Sequence, residues 1–379
     1  MRKSPRTNTE PLIAIPINNA DSDSSASDQP ELYRHSPVVL NWHGINAWVR
    51  DTRSSKSKQV LCDSWGTADH GKLLAVMGPS GSGKTTLLNI LAARPSLGDG
   101  GSWSGTTLIN GAPPDDHWER SAGYCMQKDI FFEELTVREH LVCTAMLRLP
   151  GRWSRSAKMA EMLQIVRQLN LEGALDTRVG SATERGLSGG ELKRLNIATE
   201  LLGEPMILFL DEPFTGLDST MASKTLKTLS EMAHLGKRTI MMTVHQPSSA
   251  MWEAFDQLLL MAPGGRTCYF GDSSSAIGYF SELGHTCPPL WNPPDFFIEL
   301  VSGEGDVGAA QCDALAFAFA AVVSLPPPPA SGFVRRPLPP TGTATRALAA
   351  RGFRRTMRAY LKPLEWVLTL VLAAIFGLL

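Results

Sequence analysis

Residues Lys72–Pro95 read KLLAVMGPSGSGKTTLLNILAARP, and this stretch decides the fold. After its lysine, KLLAVM (Lys72–Met77) is continuously apolar, the pattern of a strand covered by helices on both faces. The next nine residues, Gly78, Pro79, Ser80, Gly81, Ser82, Gly83, Lys84, Thr85 and Thr86, match G-x-x-x-x-G-K-[ST] between a strand and a helix. The three glycines let the backbone turn tightly and aim N–H groups at phosphate oxygens, and the following helix adds its positive N-terminal end. Lys84 then reaches the β- and γ-phosphates of a nucleotide, and the Thr85 hydroxyl ligates Mg2+. A ligand-free Gly-rich turn is the competing reading, and the strand-and-helix context counts against it.

Two further runs, MILFL (Met206–Leu210) and TIMMTV (Thr239–Val244), have the same buried-strand character. In open α/β sheets ligands sit at the carboxyl ends of the strands, so the clusters after the three runs are expected at one edge. Asp211 can hold Mg2+ through its water shell, and Glu212 is placed to accept a proton from an attacking water. His245, after the third run, is a candidate for hydrogen-bonding the γ-phosphate or that water. Gln127, after GYCM, is a candidate for contacting Mg2+ or water. Two acids in a solvated turn and a structural histidine are the alternatives; the shared edge favours the functional reading.

LSGGELKR (Leu187–Arg194) resembles the signature motif of ATP-binding-cassette (ABC) ATPases. With GPSGSGKT, Gln127, LFLDEP, GLDS (Gly216–Ser219) and His245, the whole motif set stands in the expected order between about Val38 and Ser302. The resemblance implies an α/β P-loop ATPase with a mixed sheet core and a helical subdomain. The signature itself predicts a helix starting near Ser188, with Leu192, Leu195, Ala198 and Leu202 along one face and Gly203 at its stop. Ser188, Gly189 and Gly190 lie at its positive end, bare enough for a phosphate to approach. The resemblance implies that this cradle serves ATP on a partner cassette, that two cassettes clamp two ATP molecules head to tail, and that Asp218 helps join the two sites. Trp48, in INAWV, matches the position of the adenine-stacking aromatic; a buried strand tryptophan is the other reading.

DIFFEELTVREHL…LRLP (Asp129 to Pro150), HQPS (His245–Ser248) and CPPLWNPPDFFIEL (Cys287–Leu300) resemble the G subfamily of eukaryotic ABC transporters. These are half-transporters with the cassette first and the membrane domain second. The resemblance implies ATP hydrolysis, with Glu212 as general base, coupled to export of lipids, sterols, pigments or xenobiotics. Lys128 and Leu192 depart from the family's usual residues and leave the catalytic set intact.

The wider composition agrees. The chain has 379 residues, 43% of them apolar, which is enough for one large core or two ordinary domains. That excludes a wholly disordered chain, a collagen-like repeat and a disulfide-stapled miniprotein. With 36 Lys+Arg against 37 Asp+Glu, net charge gives no general reason to expect nucleic-acid binding. The six cysteines contain no C-x-x-C pair and are expected as reduced thiols.

Residues 1–37 read as a disordered tail without the apolar core of a signal peptide, and residues 38–302 as the ATPase domain. Residues 303–343 are expected as an Ala/Pro-rich linker. Within it, ALAFAFAAVV (Ala314–Val323) is expected as a short buried helix and SLPPPPASGFVRRPLPPTGT (Ser324–Thr343) as an extended segment. Residues 344–379 read as a basic juxtamembrane segment and an incomplete first transmembrane helix. WVLTLVLAAIFGLL (Trp366–Leu379) reaches only about 21 Å against a hydrocarbon core of roughly 30 Å. A buried C-terminal helix is the alternative, but the arginine-rich flank favours a span with the ATPase domain on the cytoplasmic side. The chain is therefore expected to be a fragment or an incomplete gene model. The rivals are a truncated protein that binds ATP and partners without transport, and a non-transport ABC ATPase.

Overall fold

The computed structural model describes residues 37–50, 57–115, 118–180, 186–236, 238–302, 305–322 and 348–349. The N-terminal tail, the Pro-rich segment and the C-terminal apolar run lie outside the described residues. In chain order the elements begin β1 (Leu40–Arg50), β2 (Ser57–Ala68), β3 (Leu73–Met77), α1 (Lys84–Leu91), β4 (Ser102–Ile109), α2 (Trp118–Ser121) and β5 (Ala122–Cys125). Then come α3 (Val137–Arg148), α4 (Arg155–Gln168), α5 (Gly189–Leu201), β6 (Ile207–Leu210), α6 (Ser219–His234), β7 (Thr239–Thr243) and α7 (Ser249–Trp252). The last are β8 (Gln257–Ala262), β9 (Arg266–Asp272), α8 (Ala276–Glu282), α9 (Pro293–Ser302) and α10 (Gly305–Val322).

The three apolar runs become β3, β6 and β7, and every residue of each strand is buried. They sit in a six-stranded sheet of order β5-β6-β7-β3-β8-β9. All its neighbours are parallel except the hairpin of β8 and β9. Because strand side chains alternate, each strand feeds two cores. Leu73, Ala75, Met77, Leu208, Leu210, Ile240 and Met242 point to the helical face. Leu74, Val76, Ile207, Phe209 and Met241 point to the other, where α1 and an antiparallel sheet of order β2-β1-β4 cover them. Truncating Phe209, wholly buried there, would cost about 3–5 kcal/mol.

α3, α4 and α5 pack against one another as the helical subdomain. Capping boxes fix two of their starts: Thr136 with Glu139 on α3, and Ser188 with Glu191 on α5.

α10 differs from expectation. The helix begins at Gly305, nine residues before the apolar stretch, inside the part expected as linker. It is buried along one stripe only, through Cys312, Leu315 and Phe319, while Phe317 is exposed. Spacings of three and four residues put that stripe on one face, and Phe319 stacks on Trp65 of β2 at a centroid distance of 4.9 Å. Among the described residues no helix is long and apolar enough to cross a membrane.

Candidate nucleotide site

The polar clusters after β3 and β6 meet at one edge of the sheet. An open cleft of about 210 Å³ there is lined by Ser80, Gly81, Gly83, Lys84, Thr85, Thr86 and Glu212. Gly78 and Gly83 take φ of 154° and 89°. A Cβ at Gly78 would stand 2.3 Å from the Met261 carbonyl oxygen, and one at Gly83 2.5 Å from that of Val60. Only glycine lets β8 and β2 press this closely on the loop. Lys84 is 6% exposed, and its Nζ donates to the carbonyls of Gly78 (2.8 Å) and Pro79 (2.9 Å). Burial lowers its pKa, opposed by the nearby charges of Glu212 and Asp211. The buried Ser82 hydroxyl has no hydrogen-bond partner among the described residues. A cationic donor held by loop carbonyls and an orphaned buried hydroxyl in a glycine cradle fit a polyphosphate.

The acids after β6 are tied to other elements. Asp211 is 3% exposed, and its Oδ1 accepts from Thr85 Oγ1 at 3.0 Å and from Thr243 Oγ1 at 2.7 Å. Burial raises its pKa; those two hydrogen bonds pull it back. Glu212 has a left-handed backbone, φ 47°, and its N–H donates to Thr243 Oγ1 at 2.8 Å. Its Oε2 accepts from Gln127 Nε2 at 2.7 Å and from Thr215 Oγ1 at 3.0 Å. His245 Nε2 lies 3.1 Å from Ser80 Oγ. The structure thus brings Gln127, Glu212, Asp211, Thr85, Lys84, Ser80 and His245 together. The Thr85–Asp211 pair is the chemistry of a divalent-cation site with few protein ligands. Among the described residues no group of three or more His, Cys, Asp or Glu gathers to hold a metal.

The signature is placed differently. α5 starts at Gly189 with Ser188 as its cap, close to the expected start. Leu195 and Ala198 are buried on it, and Leu202 is buried at its end; Leu192 is only half-buried. Ser188 and Gly189 are exposed, and Ser188, Gly189 and Gly190 are not among the residues lining the cleft. Asp218 caps α6, accepting the N–H of Met221 at 2.9 Å. A Cβ on Gly189 would stand 3.5 Å from the Gly216 carbonyl, so the signature turn and the loop leading to Asp218 share one surface. Trp48, half-buried on β1, is also absent from the cleft lining.

Sequence reasoning missed three residues. Thr243, buried at the end of β7, bridges Asp211 and the Glu212 backbone. Thr215 donates to Glu212. Lys193, 3% exposed on α5, donates to the carbonyls of Met126 (3.1 Å) and Gln127 (3.0 Å). A polar β-branched residue closing an otherwise apolar strand was the available signal for Thr243. Lys193 had none, since its partners are distant in sequence; Thr215, three residues after Glu212, offered only the weak signal of a hydroxyl near an acid.

This constellation, on this sheet, is that of an ABC-type ATPase cassette. The family model described as ABC transporter matches residues 63–215, and one described as ABC-2 type transporter matches residues 245–314. A solved bacterial cassette, the dimeric structure of MJ0796, superposes with a TM-score of 0.52 at 20% identity, covering 62% of this chain and 98% of that one. Within the ABC proteins the chain belongs to the G family. It is 42% identical to ABC transporter G family member 22 of Arabidopsis thaliana over 70% of this chain and 35% of the relative. It is 42% identical to the broad substrate specificity ATP-binding cassette transporter ABCG2 of Sus scrofa over 77% of this chain and 45% of the relative. To Protein white of Drosophila melanogaster it is 42% identical over 65% and 36%. The matched part of the chain thus spans between about a third and just under half of the length of these relatives.

Proposed function

We propose that this cassette hydrolyses Mg-ATP as one half of a head-to-tail cassette dimer and drives export of lipid-like or xenobiotic substrates by a G-type half-transporter. The observation that carries the reading is the joined network at the loop's mouth, Gln127 to Glu212 and Thr85 to Asp211, facing the Lys84 cradle. Water attacks the γ-phosphorus. Its oxygen forms the new P–O bond, the bond to the β,γ-bridging oxygen breaks, and Glu212 accepts the water's proton. Lys84 and the loop N–H groups stabilise the charge that develops on the γ-phosphoryl oxygens. Thr85 and Asp211, with Gln127, are the residues that would hold Mg2+, which when bound neutralises phosphate charge. His245, beside Ser80, is placed to hold the γ-phosphate or the water.

Support for the dimer is that Ser188, Gly189 and Gly190 stand outside the cleft of their own cassette. A positive helix end with two glycines, outside the cleft of its own cassette, suits an anion brought by a second copy or a related cassette. A membrane location is supported by the match to the ABC-2 type transporter model and by the G-family relatives; the arginine-rich flank of the C-terminal apolar run supports the cytoplasmic side for the cassette. The test is magnesium-dependent ADP release by the purified chain, with light scattering of Glu212→Gln with and without ATP. Turnover by the parent and an ATP-dependent dimer of the variant are expected. Absence of both would overturn the reading.

A further inference from the structure

The loop that carries Gln127 is held from the signature helix. Lys193, one turn beyond the signature glycines, is a buried ammonium with three acceptors for its three donors. These are the carbonyls of Met126 (3.1 Å) and Gln127 (3.0 Å) and Asp129 Oδ1 (3.3 Å), all in the segment after β5. Asn196, three residues further along α5, donates to the same Asp129 oxygen. A buried charge tolerates little displacement from its partners, because a lost acceptor leaves it unpaired in a poorly polarisable interior. The socket therefore fixes the backbone of Gln127, and Gln127 in turn delivers its amide to Glu212 Oε2 at 2.7 Å.

We propose that Lys193 is a positioning residue for hydrolysis. Through it, the placement of the signature helix sets the Gln127 amide on the Glu212 carboxylate of the same cassette. An anion seated at Ser188–Gly190 bears on α5 within two turns of Lys193, so occupancy of the signature by a second cassette's nucleotide is read out at this cassette's own general base. The inference rests on the ATPase reading above. It goes further in naming the side chain that links the signature to the hydrolytic centre.

The purified 379-residue chain tests it. Lys193→Met should lower kcat about ten-fold with KM for ATP within about two-fold of the parent, since the change acts on the base and not on the phosphate cradle. Combined with Gln127→Ala, it should lower kcat no further than the slower single variant, because both act through one contact. Losses that multiply in the double variant, or a raised KM at unchanged kcat, overturn the proposal. Amide hydrogen exchange reads the socket without turnover: residues 126–130 should exchange about ten-fold faster in Lys193→Met, and parent-like exchange also overturns it. Should Lys193→Met fail to fold, Asp129→Asn, which weakens one of the three bonds, carries the same comparisons with smaller effects of the same sign. A parent that turns over no ATP refutes the ATPase reading, and the exchange result still decides the socket.

Discussion

Replacing Thr243 by valine removes a hydroxyl and leaves the side-chain shape intact. That hydroxyl accepts the Glu212 N–H at 2.8 Å and donates to Asp211 Oδ1 at 2.7 Å from a wholly buried position. A hydrogen bond to a charged group contributes about 1.5–3 kcal/mol, and an orphaned buried N–H costs about 1–3 kcal/mol. Glu212 is only half-buried, so the lower ends apply and the expected loss is about 2.5 kcal/mol. In a cassette of this size each kcal/mol moves Tm by about 2–4 °C, so the midpoint should fall by about 5–10 °C. Hydrolysis suffers separately. Glu212 sits at φ 47°, and the lost bond is what anchors that backbone from β7. A general base displaced by the order of 1 Å loses about a hundred-fold in rate, so kcat should fall by about 10- to 100-fold. Thr243→Ser, which restores the hydroxyl, should recover most of both losses. The assays are thermal melting followed by tryptophan fluorescence and steady-state ADP release. A valine variant that melts within about 1 °C of the parent and keeps its turnover would refute the bridging role.

Three further outcomes follow from the same geometry. Glu212→Gln keeps the hydrogen bonds but cannot accept a proton, so single-turnover phosphate release should slow by about 10²–10⁴-fold while ATP stays bound; a parent-like rate would remove Glu212 as the base. Lys84→Ala deletes the buried ammonium and leaves the Gly78 and Pro79 carbonyls without its donation, so ATP affinity should fall at least about ten-fold by equilibrium titration. Asp211 gives a pH signature: its carboxyl pKa is raised by burial, so the folded state holds the proton more tightly than the unfolded chain. The destabilisation is present above the raised folded value and is relieved as pH falls through it towards the unfolded value near 3.8. Asp211→Asn can still accept from both threonines through Oδ1. It should therefore melt above the parent at pH 7–8, with the gap closing as the pH falls towards the unfolded value near 3.8, while hydrolysis is lost; a gap that widens on acidification contradicts the burial argument.

Legibility in the sequence tracked how local each determinant is. β3, β6 and β7 were readable because burial on both faces leaves uninterrupted apolar runs. The phosphate loop was readable because its chemistry is packed into nine consecutive residues, Gly78 to Thr86. α5 was readable from the spacing of its apolar residues, with Ser188 at its start and Gly203 at its stop. The antiparallel sheet was not. β1 pairs with β2 and β4 through several register shifts, and β4 carries exposed residues over most of its length, so neither strand shows a clean period of two. The second half of α10 was expected as a short buried helix; its first nine residues were missed because Gly305, Gly308 and the nearby prolines suggest a linker, whereas a stripe of Cys312, Leu315 and Phe319 docked on the sheet outweighs weak local propensity. Lys193 gave no local signal, because its partners lie more than sixty residues away; for Thr243 the sequence offers only a polar residue closing an apolar strand, and its partners lie more than thirty residues away.

What no run of residues discloses is the order of the strands, and that order makes the site. Neighbouring strands lie about 4.8 Å apart. With β5, β6, β7 and β3 consecutive in the sheet, His245 leaves one strand over from the phosphate loop. Asp211 and Glu212 leave two strands over, roughly 10 Å away, and Gln127 three, roughly 14 Å away. No single side chain covers that last span. The edge is crossed in short links instead: Thr85 to Asp211 at 3.0 Å, Asp211 to Thr243 at 2.7 Å, Thr243 to the Glu212 backbone at 2.8 Å, and Glu212 to Gln127 at 2.7 Å. Each link joins elements that meet only because of the crossovers. The chain of bonds is therefore a property of the topology, and a change of strand order would scatter the same residues beyond one another's reach.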